Sequence, residues 1–204
     1  SELDVSVAFT VTKLGTTSDG DFTIDASPLV FSALATTSAI VVTVVDDIAY
    51  DPNEQFDITL GGPVTNGQLS GVAGELVNRF TITDDEAKPS VGFELASVTQ
   101  DEGTTVTSFI DMTVPSDVDV TVSFTLADVD TDASDYGALT ASPVTIAAGL
   151  TRVSVSLPLV ADGVYEVAAS EDLTLTIDSV GPGADVGATA VQTVTIVDID
   201  AIPE

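Results

Sequence analysis

An all-β chain folded as two tandem sandwiches is the architecture this sequence predicts, on three observations. The apolar residues are mostly Val, Ala, Leu and Ile interleaved with Thr and Ser, a composition that suits pleated strands. Short runs alternate with a period of two: Val41, Thr43 and Val45 fall on one face, and Val42, Val44 and Asp46 on the other. No stretch shows a clear helical period. Finally, the chain repeats itself. Asp4-Val-Ser-Val-Ala-Phe-Thr-Val11 matches Asp119-Val-Thr-Val-Ser-Phe-Thr-Leu126, 115 positions on. Asp21-Phe22 then matches Asp135-Tyr136, Ser27-Pro28 matches Ser142-Pro143, and Asp47 and Tyr50 match Asp162 and Tyr165. Glu54-x-Phe56 matches Glu171-x-Leu173, and Phe80-Thr-Ile-Thr-Asp-Asp-Glu86 matches Val194-Thr-Ile-Val-Asp-Ile-Asp200. Matches in constant order mean two copies of one domain.

Taken in order, the first copy reads as strands near 3–13, 28–32, 38–46, 54–61 and 76–84. The second reads as strands near 90–97, 103–114, 118–127, 143–147, 151–160, 171–180 and 189–198. Gly, Pro, Asp and Asn bound these runs, as turns require. About seven strands in a domain of this length predict an immunoglobulin-like sandwich. Asp84-Asp-Glu-Ala-Lys-Pro-Ser90 marks the boundary, giving domains over 1–86 and 87–204. So short a linker predicts a stiff pair. The second copy has residues 87–118 ahead of Asp119, whereas only Ser1, Glu2 and Leu3 precede Asp4. The first sandwich is therefore expected to lack about two N-terminal strands. The terminal Asp198-Ile-Asp-Ala-Ile-Pro-Glu204 echoes the linker, as the start of a further one.

Composition narrows the partners. With 33 acidic and 4 basic residues the formal net charge is −29, so nucleic acid and anionic membrane surfaces are excluded as partners. No apolar run is long enough for membrane insertion. With no His and no Cys, thiol chemistry, disulfides and the usual zinc and copper ligands are absent. Tryptophan is absent and aromatics make up 5% of the chain, which argues against a sugar-cleaving enzyme; no catalytic residues are assigned. Strong acidity fits a secreted protein in a medium rich in salt or calcium.

One stretch carries chemistry. In Val44-Val-Asp-Asp-Ile-Ala-Tyr-Asp-Pro-Asn-Glu-Gln-Phe-Asp-Ile-Thr-Leu60, Asp46, Asp47, Asp51 and Glu54 crowd one loop between strands with no Lys or Arg beside them. Like charges this close disfavour one another's ionised forms. Either the loop is a solvated acidic turn, or a hard divalent cation sits among the oxygens, for which Ca²⁺ suits an irregular loop. Asp21 and Asp135, each beside an aromatic residue in a turn, equally suit local bonds to the backbone.

Asp-Glu-Gly103 near a domain start, Ser-Asp-Tyr136, Asp46-Asp-x-x-x-Asp-x-x-Glu54 followed by x-Phe, and Ile-Thr-Asp-Asp-Glu86 together resemble the Calx-beta domain. That family occurs in sodium/calcium exchangers and large bacterial surface proteins, and the resemblance covers nearly the whole chain. It implies acidic loops gathered at one end of each sandwich, with Ca²⁺ as the bound ion. Carried onto this chain, the calcium pattern falls on Asp21, Asp46, Asp47, Asp51, Glu54, Asp84, Asp85 and Glu86 in the first domain. In the second it falls on Glu102, Asp135, Asp162, Glu166, Glu171, Asp198 and Asp200. Ala161 and Ile199 replace two acids there, which implies the weaker site.

The expected function is a non-catalytic, calcium-stiffened spacer or adhesion module of a secreted or cell-surface protein. Its expected partners are calcium ions and neighbouring repeats, and other copies through the open edge of the first domain. A calcium sensor, as in the exchangers, and a fibre subunit completed by strand donation are the alternatives.

Overall fold

A computed structural model describes residues 1–52, 54–72, 76–165 and 170–200. The described residues form strands and turns with no helix, in two compact units, Ser1–Asp85 and Glu86–Glu204. The fold is that of two tandem immunoglobulin-like sandwiches.

Among the described residues the first unit has six strands: β1 (Val5–Leu14), β2 (Phe22–Ile24), β3 (Leu29–Phe31), β4 (Val42–Val44), β5 (Gln55–Thr65) and β6 (Val77–Thr81). One sheet runs β3-β1-β5-β6, and β2 pairs with β4 as a second. Alternation sends Phe56 and Ile58 of β5 and Phe9 of β1 inward to meet Phe22 of β2. Phe56 is sandwiched between two rings, Phe22 at 4.2 Å and Phe80 at 5.0 Å between centroids.

The described residues of the second unit form nine: β7 (Ser90–Phe93), β8 (Ser97–Asp101), β9 (Thr105–Met112), β10 (Val120–Asp128), β11 (Val144–Ile146), β12 (Arg152–Pro158), β13 (Ser170–Val180), β14 (Asp185–Val186) and β15 (Val191–Val197). Sheets ordered β11-β10-β13-β15-β8 and β12-β9-β7-β14 face each other. Strand β8 lies parallel to β15, from Thr193 opposite Ser97 to Val197 opposite Asp101. Between the sheets pack Val91, Phe93, Ile110, Leu173, Leu175 and Val194, all buried. Gln192 crosses this core; it bonds the Ser108 hydroxyl and donates to the Leu95 carbonyl at 2.9 Å.

The repeat is repeated in detail. Phe9 N–H donates to Ser27 Oγ, and Phe124 N–H to Ser142 Oγ, each at 2.9 Å. Asp4 Oδ1 accepts from Ala33 N–H at 2.8 Å, and Asp119 Oδ1 from Ala148 N–H at 2.9 Å. The Ser27-Pro28 and Ser142-Pro143 peptide bonds are both cis.

Three expectations need correction. The run 90–97 is two strands rather than one: Glu94, Leu95 and Ala96 carry the chain from one sheet to the other, giving β7 and β8. Strands β2 and β14 were not anticipated, because two or three residues are too few to show an alternation. Three strands, β7, β8 and β9, precede β10 where about two were expected.

Candidate metal centres

Two loops bring three acids together in the first unit. Asp21 ends the turn before β2, and Asp51 and Glu54 come from the loop between β4 and β5. One carboxylate oxygen from each lies within 4.8 Å of the others, and all three residues are buried, Glu54 to 3% exposure. The scaffold for this is local. Ser18 bonds the Asp21 carboxylate through both its N–H and its hydroxyl, and Asp21 O accepts from Val45 N–H at 2.8 Å. Thr16 and Thr17 lace the same turn to the other loop, through Pro52 O at 2.9 Å and Gln55 O at 2.8 Å. Asp51 N–H donates to Asp84 Oδ2 at 3.0 Å, and Ile82 N–H to Glu54 O at 3.1 Å.

Electrostatics at Asp21 are a contest. Burial raises its pKa, but the bond with Glu54, those from Ser18 and the charge of Lys13 outweigh burial and leave it below the usual range. A second pair of acids in this unit, Asp46 and Asp85, also places carboxylate oxygens within 4.8 Å. Both are exposed. Asp47 is in neither group; its Oδ1 accepts from Ala49 N–H at 2.7 Å in a tight turn. Glu86 is the first residue of the second unit.

In the second unit the group is Glu102, after β8, with Asp162, after β12, and Asp200, after β15; their oxygens lie within 4.8 Å. Glu102 is only 8% exposed. Its N–H donates to Val197 O at 3.1 Å, which fixes the turn at the sheet edge. Gly103 follows with φ of 72°, and a Cβ there would lie 3.0 Å from that of Ala161, so the close approach needs glycine. Burial, and then the charges of Asp200, Asp198 and Asp162, push the Glu102 pKa up against a bond from the Ile199 backbone. Glu102 Oε1 and Asp200 Oδ2 are buried and accept no hydrogen bond. Buried carboxylate oxygens without donors are costly, and a cation relieves that cost. Asp162 accepts from Val164 N–H, and Asp198 from Asp200 N–H, each at 2.7 Å.

Asp135 and Glu171 stand outside that group. Asp135 Oδ2 accepts from Asp132 N–H at 2.5 Å, as Asp21 does from Ser18, and Glu171 sits on β13 opposite Ile196. Glu166 lies outside the described residues. All four basic side chains are engaged in ion pairs: Lys13 with Asp19, Arg79 with Asp57, Lys88 with Asp185, and Arg152 with Glu94 and Asp111. No basic side chain is among the groups that shift Glu102. An all-oxygen set with excess negative charge fits a hard divalent cation and offers no nitrogen or sulfur for a softer one.

Sequence reasoning overlooked Ser18, which bonds the Asp21 carboxylate, and Lys13, whose charge favours its ionised form. Lys13, one of only four basic residues, was the available signal. Tyr136 was also overlooked as a tie: its hydroxyl donates to Asp128 at 2.8 Å, and that bond with burial pushes its pKa up to about 12.

The family model of the Calx-beta domain matches residues 2–86 and 84–200. The chain is similar to the apo-form Calx CBD1 domain, with 15% identity over 56% of this chain and 100% of that one and a TM-score of 0.49. It is also similar to the calcium binding domain CBD12 of CALX1.1, with 14% identity over 95% of this chain and 87% of that one and a TM-score of 0.47. No curated protein matches it significantly.

Proposed function

The chain belongs to the Calx-beta domain family, and from that premise we propose that it is a calcium-binding structural repeat: a spacer or adhesion module, stiffened by Ca²⁺, of a secreted or cell-surface protein. Calx-beta domains are non-catalytic binding domains, and the pair is not an enzyme. Glu102 carries the calcium reading: its carboxylate has a buried oxygen with no donor, and places an oxygen within 4.8 Å of oxygens from Asp162 and Asp200. In the first unit Asp21, Asp51 and Glu54 would hold one ion, with Asp84 bracing Asp51, and Asp46 and Asp85 would add ligands. In the second, Glu102, Asp162 and Asp200 would hold it, with Asp198 bracing Asp200. The division into domains at 1–86 and 87–204 is part of the same proposal.

The cation's part is electrostatic. It offsets repulsion among loops from distant strands and so stabilises the folded state by RT ln(1 + [L]/Kd). The absence of cysteine supports the spacer over a sensor, since bound ions would tie loops that disulfides tie in other small extracellular domains. Calorimetric titration of the metal-stripped chain with CaCl₂, paired with thermal unfolding in calcium and in chelator, tests the reading. Heat of binding and a raised Tm in calcium are expected; identical unfolding in both conditions overturns it.

A further inference from the structure

One polar side chain stands in an apolar row of the second unit. The residues of β15 that face the core are Gln192, Val194 and Ile196, and Gln192 lies among them at 2% exposure. Both ends of its amide are used. Its Oε1 accepts from the hydroxyl of Ser108, itself buried on β9 in the facing sheet, and its Nε2 donates to Leu95 O at 2.9 Å. Burying an amide costs free energy unless it is bonded, and an apolar side chain of that size would fill the row without the cost. The amide therefore calls for a reason other than stability.

Its bonds converge on the crossover of Glu94, Leu95 and Ala96 that leads into β8. Gln192 holds Leu95 from within, Arg152 Nη2 donates to Glu94 Oε1 at 2.9 Å on the solvent side, and Thr193 N–H donates to Ala96 O at 2.9 Å where the parallel ladder begins. Beyond that point β8 has little to fix its register. Val98 is its one partly buried apolar residue, and Ser97, Thr99, Gln100 and Asp101 are exposed. A strand of that pattern is weakly specified by burial and prone to slip. A slip of two residues keeps each side chain on its own face and carries Glu102 along β15 by about 6.6 Å, at ~3.3 Å per residue. The oxygens of Glu102, Asp162 and Asp200 lie within 4.8 Å of one another, so a displacement of that size breaks up the group. We propose that Gln192 is a positioning residue: by gripping Leu95 O it sets the register of β8 on β15, and so places Glu102 among the carboxylates of Asp162 and Asp200. The register stands on burial and hydrogen bonding; its consequence for an ion rests on the calcium reading.

Two variants of the full chain test the proposal. Gln192→Met with Ser108→Ala removes the polar pair at nearly constant volume. Gln192→Asn, the residue that the first unit carries at the matching position 78, keeps the amide but shortens its reach by one methylene. NMR of the metal-stripped chain reads the ladder through cross-strand contacts between Ser97–Asp101 and Thr193–Val197 and through amide exchange. Calorimetric titration with CaCl₂ reads the affinity of the second unit, with the first unit as internal reference. Both variants are expected to melt cooperatively, to lose the native cross-strand contacts, and to exchange the amides of residues 97–101 about tenfold faster. Calcium affinity at the second unit is expected to fall about tenfold and that of the first to stay unchanged. Ser108→Ala alone keeps the bond to Leu95 and should leave both readouts near wild type. Native contacts and exchange at residues 97–101 in a folded variant overturn the proposal, as do altered contacts with undiminished calcium affinity, or equal effects from Ser108→Ala alone. If the double variant does not fold, Gln192→Asn decides. If the wild-type second unit takes up no calcium, the calcium reading falls, and the contacts and exchange at residues 97–101 judge the register by themselves.

Discussion

Asp51 N–H donates to Asp84 Oδ2 at 3.0 Å, tying the loop before β5 to the chain leaving β6. The bond is charge-assisted and partly buried, so its geometry depends on an oxygen acceptor at residue 84. Asp84→Ala is expected to cost the first unit about 1–2 kcal/mol, while Asp84→Asn keeps an acceptor and costs less. Denaturant unfolding of the metal-stripped variants checks this, and equal losses for both would assign the effect to charge rather than to the bond.

Glu102→Gln should act in opposite directions with and without calcium. Without the ion it removes a buried negative charge from beside Asp162 and Asp200, so the second unit's Tm rises. With the ion it removes a charged ligand, and affinity at that site falls on the order of tenfold. Calorimetry on the stripped and loaded protein reads both signs. A Tm that drops in the stripped variant would show that Glu102 is stabilised by something other than a cation.

The two units should respond oppositely to pH once stripped of metal. The Glu102 pKa is raised on folding, so its contribution is fully present below the ordinary value of 4.5 and is lost as pH rises through its higher folded value. The Asp21 pKa is lowered, so its contribution is present above 3.8 and is lost as pH falls through its lower folded value. Scanning calorimetry across the acidic range should show the second unit gaining stability towards mild acid, and the first losing it at the most acidic end. Parallel shifts of both transitions would contradict the assignment.

Phe56→Ala should unfold the first unit selectively. The ring is 1% exposed and stacked on both faces, and a large-to-small change of this kind costs about 3–5 kcal/mol. Among the described residues that unit's core cluster holds only Phe9, Phe22, Phe56 and Ile58 as buried members, so little remains to offset the loss. Leu173→Ala, at the matching position of the larger core, should leave the second unit folded at room temperature. Circular dichroism melts of the two variants decide between selective and global unfolding.

Much of the fold was legible because the sheets are amphipathic. Period-two alternation marks β1, β5, β10 and β13 directly, and the repeat aligns them. β8 was hidden because its residues Ser97–Asp101 are mostly polar and mostly exposed, and because it continues β7 after three residues. The candidate centres were legible only as a list of acids. Composition cannot tell an acid that faces its neighbours, such as Asp51 or Asp200, from one that stands apart. Asp47 and Asp135 make the same turn bonds as their counterparts Asp162 and Asp21, yet only the latter two fall in the groups. Glu102 stood apart on the page only through the motif around Gly103. Its burial follows from the parallel edge strand, which sequence reasoning did not anticipate.

That parallel edge also determines how the second unit meets mechanical load. If tension enters at the start of β8 and leaves at the end of β15, the pull runs along the two strands in opposite senses. The bonds between Ser97–Asp101 and Thr193–Val197 then share the load and fail together, instead of peeling one after another from an end. Lys88 Nζ on Asp185 at 2.6 Å, and Asp185 N–H on Pro89 O at 2.9 Å, clamp the entering chain just before β7. The turn at Glu102 and the exit at Asp198–Asp200 sit beside the loaded ladder, so a cation held there would add a rivet at the point where shear is greatest.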